Sequence, residues 1–121
     1  MAVPARPARA RCDRGSVTAE TAIALPAVMV VLATVMATGQ ALVAQVRCVD
    51  AARAAARLAA RGEPETVSVT QARRLGPAGS DVGIGPGTGG DVVVRVSALV
   101  HLPLGLTVPV QATAEAAVEQ P

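Results

Sequence analysis

From Thr21 to Val46 no position is charged, and Ala, Val, Leu, Ile and Met fill most of the run. A helix of ~20 apolar residues crosses the hydrocarbon of a bilayer, so this run can span one with some tilt. It is also longer than the apolar core of an ordinary secretory signal, about 7–15 residues. The polar or small positions within it are few, among them Thr34, Thr38, Gly39 and Gln40. A helical Thr can return its hydroxyl to its own backbone, and small residues admit a close helix neighbour. Beyond the run, Arg47, Asp50, Arg53, Arg57 and Arg61 recur every three or four residues, which places them on one helix face. Alanines, with Val49 and Leu58, occupy the rest, and Ala and Arg are strong helix formers. Arg57 and Arg61 suit the negative end of the helix dipole, Gly62 can take a left-handed cap, and Pro64 blocks continuation. The pattern predicts one helix from about Val17 to Arg61, roughly 65 Å at ~1.5 Å per residue. Its membrane span is expected at about residues 21–46 and a stalk at 47–61.

After Pro64 the period changes to two. Thr66 to Thr70 alternates Val with polar residues and reads as a first strand. Val92, Val94, Val96, Ala98 and Val100 share one face of a second, opposite Arg95, Ser97 and His101. Val108, Val110, Ala112, Ala114, Ala116 and Val118 share one face of a third, opposite Gln111, Thr113, Glu115 and Glu119. Such alternation marks half-buried strands. HLPLGLT joins the last two as a hairpin, and Pro109 falls on the polar side, which suits an edge strand. Residues 76–91, rich in Gly and Pro, read as a mobile loop. The expected fold class is α+β: a long N-terminal transmembrane helix, then a small antiparallel sheet of about three strands in residues 64–121. Three strands with one apolar face need a cover, and the Ala-rich helix surface at residues 49–60 is the candidate.

Composition supports this division. The 121 residues include no Phe, Tyr or Trp, so the apolar content is not that of an ordinary soluble core. The net charge of +2 is unevenly placed. Arg6, Arg9, Arg11 and Arg14 face only Asp13 within residues 1–15, which with Pro4 and Pro7 read as a disordered basic leader. The remainder is slightly acidic and has no stacking aromatics, which argues against a nucleic-acid partner. Cys12 and Cys48 flank the apolar run, so a bilayer would separate them. With His101 alone they cannot make a four-ligand zinc site, and no metal is expected. Cys48 reads as a small buried residue in a helix contact, with a bridge between subunits as the alternative. Ser16 and Ser97 lack His and acid neighbours, and GIGPGTGG lacks the Lys of a phosphate loop. No catalytic residue and no cofactor is expected, and the chain does not read as an enzyme.

The informative stretch is Arg14-Gly15-Ser16-Val17-Thr18-Ala19-Glu20 and the apolar run behind it. A carboxylate entering a membrane span is costly unless paired, so Glu20 is a functional candidate; the plain alternative is that it snorkels at the interface. A basic leader, Gly, an acid at the fifth position after it and a long apolar helix resemble the type IV prepilin signal. More closely, RGSVTAETAIALP and VRCVDAARAAARLAARGE resemble the TadE-like minor pilins of tight-adherence (Flp) pilus systems, in their actinobacterial form. The resemblance implies cutting by a prepilin peptidase after Gly15, with Ser16 as the new N-terminus and the apolar segment retained. It implies that Glu20 pairs with the N-terminal amine of a neighbouring pilin subunit during assembly. Membrane lipid and the pilus assembly machinery are the other implied partners. Pro26 reads as a proline tolerated in a membrane helix.

Four Arg precede the span and four follow it closely, so charge bias does not orient it. The cytoplasmic N-terminus and extracytoplasmic C-terminus follow from the resemblance. Two other readings stay open: a secreted binding module whose signal ends near Ala41, and an uncleaved single-pass anchor.

Overall fold

The computed structural model describes residues 1–4 and 13–118, for Asp13 and Arg14 the backbone alone. Most of the expected disordered leader, residues 5–12, lies outside the described residues, as does Glu119. The chain divides into two units, Met1–Val35 and Met36–Pro121.

In the first unit the described element is the opening part of α1 (Asp13–Ala60). The helix starts four residues before the expected Val17. Its side chains here point outward on every side: Ile23, Leu25, Val28, Met29, Val30 and Val31 are all exposed. Consecutive exposed apolar residues are unfavourable in water and ordinary in lipid. The polar atoms are turned inward. Thr21 Oγ1 donates to the Val17 carbonyl and Thr34 Oγ1 to the Val30 carbonyl, each at 2.8 Å. Pro26 sits inside the helix and leaves the Ala22 carbonyl without its usual amide, yet the helix runs on through it.

In the second unit α1 continues to Ala60 and then stops as the sequence predicts. Gly62 adopts φ +80°, its N–H donates to Ala59 O, and the Glu63 N–H reaches back to Leu58 O. This pair of bonds satisfies the last carbonyls in a Schellman arrangement, which a residue with a Cβ fits poorly.

The sheet is a three-stranded antiparallel meander: β1 (Asp81–Pro86), β2 (Asp91–His101) and β3 (Thr107–Ala117), in the order β1-β2-β3. The alternation in β2 and β3 is as read from the sequence. Val94, Val96, Ala98, Val110 and Ala112 are buried, while Arg95, Thr113 and Glu115 are exposed. Pro109 lies exposed on the edge strand opposite Leu99. The expected cover is present. Ala44, Cys48, Ala51, Ala52, Ala55 and Ala56, one stripe at helical spacing, form a single core with the inner residues of β2 and β3. Gln45 Nε2 donates to the Gln111 carbonyl at 2.9 Å and ties the helix to β3.

Two expectations are corrected. Thr66–Thr70 is not a strand but part of α2 (Glu65–Leu75). Five alternating residues fit either period. Burial decides, because it falls on Ser68 and Ala72, four apart. Thr70 Oγ1 donates to Thr66 O at 2.7 Å, so this Thr costs the helix little. Gly76 then lets the chain leave α2 close to α1. A Cβ there would meet Ser80 Oγ at 2.9 Å, Ala72 O at 3.0 Å and the Ala51 Cβ at 3.6 Å. Residues 76–91 are not all loop either, since β1 lies inside them. Val82 and Ile84 pair with Val96 and Val94 and pack on the core. Gly83 and Gly85 alternate with them and hide the strand from a reading based on composition.

Candidate functional site

Gly15, Ser16 and Glu20 all lie in the first two turns of α1 and are exposed. The helix begins at Asp13, so the Gly15–Ser16 peptide bond is itself helical. In an α-helix the Gly15 carbonyl accepts from the Ala19 N–H, and the first four N–H groups have no intrahelical partner. A helix end holding a Gly is the easiest part of a helix to open. A Cβ at Gly15 would meet nothing within 4 Å, so the glycine answers no packing need inside the chain. Ser16 and Glu20, four residues apart, occupy one face about 6 Å apart along the axis. The carboxylate therefore stands one turn inside the apolar helix, just before the charge-free run.

A comparison with protein families gives this segment its context. Residues 15–57 match the family described as TadE-like protein. This segment is TadE-like. The match begins on Gly15, takes in Ser16 and Glu20, and runs through the apolar helix into the alanine stripe. It associates the chain with the Tad pilus system and its components. The TadE-like helix also associates the chain with the membrane, being the one described helix long and apolar enough to cross it. No curated protein and no solved structure is significantly similar to the chain.

The other singled-out residues fall elsewhere. Arg47, Asp50, Arg53 and Arg57 are exposed along α1 and Arg61 just past its end, a solvated face opposite the alanine stripe. Cys48 is fully buried in the core. Burial raises its thiol pKa above the ordinary 9.0, because the thiolate would be desolvated. A buried, protonated thiol cannot bridge two subunits without unfolding, and its contacts are with the sheet core as well as its own helix. The register sets Asp81 directly across from Ser97, an acidic neighbour that sequence spacing did not reveal. His101 lies four residues further along β2, about 13 Å at ~3.3 Å per residue, beyond proton-transfer reach of Ser97. The glycine-rich GIGPGTGG forms β1 and the turn after it rather than opening a helix.

Proposed function

We propose that this chain is a minor pilin or pseudopilin of a Tad (Flp) pilus or a related secretion system. A prepilin peptidase removes the basic leader after Gly15, and the retained helix assembles the protein among other pilin subunits. The chain acts as a structural subunit and not as an enzyme. The observation that carries this reading is the family match, which begins on the glycine of the processing site and continues unbroken past Ala41. A secretory cut near Ala41 would fall inside the matched segment and inside α1.

The chemistry is simple. The peptidase must reach an extended peptide, so the first turn of α1 opens at Gly15, where little holds it. Cleavage leaves a positive amine on Ser16. In lipid neither that amine nor the Glu20 carboxylate is stable alone, and pairing them between neighbouring helices offsets both costs. Residues Thr21 onward lie in the bilayer, the N-terminus faces the cytoplasm, and the sheet lies outside it, at the cell surface after assembly.

The test is the N-terminus of the mature protein, read by mass spectrometry from the native membrane. Ser16 is expected. A start at Leu42 would establish the secretory reading, and an intact Met1 the plain anchor; either result ends the proposal.

A further inference from the structure

The turn between β2 and β3 has an unusual composition and an unusual backbone. From Leu99 to Val110 the chain reads LVHLPLGLTVPV, without one Asp, Glu, Lys or Arg. Leu99, Leu104 and Leu106 are exposed, Leu104 at 86%. Leu104 has φ 71° and is the only described non-glycine residue with positive φ, and Gly105 follows at φ 73°. A leucine in the left-handed region is strained, and here the strain turns an apolar side chain outward. The loop's ends are bonded, since the Leu102 N–H donates to Leu106 O at 2.7 Å. The opposite turn, Gly87 to Gly90, is glycine with one Thr.

The position of the turn says what covers it. Gln45 bonds at the level of Gln111, which pairs with Ser97. From there β2 runs toward the Met36–Val43 stretch of the helix. Leu99, Val100 and His101 line a groove with Met36, Gly39 and Val43. Those helix residues belong to the charge-free run that ends before Arg47. Twenty residues counted from Thr21 reach Gln40, about the thickness of the hydrocarbon layer. By that count the helix residues beside the turn, Met36, Gly39 and Val43, come at the end of the apolar run, where headgroups meet acyl chains.

We propose that the β2–β3 turn is a second membrane contact, in which Leu102, Leu104 and Leu106 insert into the leaflet from which the helix emerges. The occupant is lipid because the patch adjoins the exposed apolar residues Met36 and Val43 in the last part of the charge-free run. Its loop backbone is bonded at the neck, as a shallow insertion requires. The contact would hold the sheet down on the bilayer until the subunit is withdrawn into an assembly. This inference rests on the reading that α1 crosses a bilayer.

The test places an environment-sensitive fluorophore on single cysteines in the full chain, in a Cys12→Ser, Cys48→Ala background. The sites are Leu104→Cys, Val31→Cys within the helix and Thr88→Cys in the opposite turn. The protein is reconstituted in phosphatidylethanolamine–phosphatidylglycerol vesicles containing lipids that carry nitroxide near the headgroup or deep in the chain. Emission is expected to be lost at residue 104 with the shallow nitroxide and at residue 31 with the deep one, and retained at 88. Loss at 31 with none at 104 overturns the membrane contact and leaves the spanning helix standing. Equal loss at 88 and 104 also overturns it, since the sheet would then lie flat. No loss at 31 removes the spanning helix and the inference with it.

Discussion

Replacing Ala52 with Leu should weaken the second unit by about 1–3 kcal/mol, the usual cost of forcing extra methylenes into a packed core. Ala52 is fully buried, as are Ala51 and Ala55, and the fully buried sheet residues of this core, Val94 and Val96, are themselves small. The helix and sheet are close because the buried side chains at the seam are Ala, Cys and Val. Leu adds three carbons. In open apolar space these would favour burial by about 2.4 kcal/mol, at ~0.8 kcal/mol per methylene. No such space exists here, so the helix must lift, and the neighbouring alanines lose their contacts together. Cys48 supplies the assay. Its thiol is buried in the folded unit and reacts with maleimide only after opening. In a Cys12→Ser background, pulsed labelling across a urea series reports the unfolding midpoint in lipid nanodiscs. With a slope of about 1 kcal/mol/M, the midpoint should fall by about 1–3 M. Arg53→Leu, next in sequence but exposed, should move it by no more than about 0.5 M. Equal midpoints for the two variants would refute the close-packed seam.

Gly15→Leu should leave the chain folded, because a Cβ there meets nothing, while leader removal in the native membrane stops; unimpaired cutting in immunoblots would count against Gly15 as the processing residue. Glu20→Ala should insert normally in membrane fractions and be recovered poorly in sheared pilus material, with Glu20→Asp partly restoring it. Recovery equal to wild type would remove the carboxylate from assembly. The pH dependence of Cys48 has a definite sign. Its folded pKa is raised, so stability is unaffected below the ordinary value of 9.0, where both states hold the proton. Above that value the unfolded chain releases a proton that the folded one keeps, and stability declines as pH rises toward the folded pKa. Urea midpoints by circular dichroism should fall from pH 8 to 10 in the Cys12→Ser chain and fall less when Cys48→Ala is added.

Much of this protein was legible along the chain. The charge-free run, the helix stop at Gly62 and the two long alternating strands each depend on local chemistry and neighbours within a few residues. Gly15, Ser16 and Glu20 could be singled out for the same reason, since the roles proposed for them rest on spacing along one exposed helix. Other features required the folded chain. Thr66–Thr70 is short enough to serve either period, and only the burial of Ser68 and Ala72 makes it helical. β1 is a strand because Val82 and Ile84 find Val96 and Val94 on β2, a pairing invisible in a glycine-rich stretch. The apolar turn at Leu104 gains meaning only when the register of β2 brings it beside Met36 and Val43. Local sequence determines what each segment can be; which partner covers an apolar face, and at what level along the helix, is decided by contacts between residues far apart in the chain.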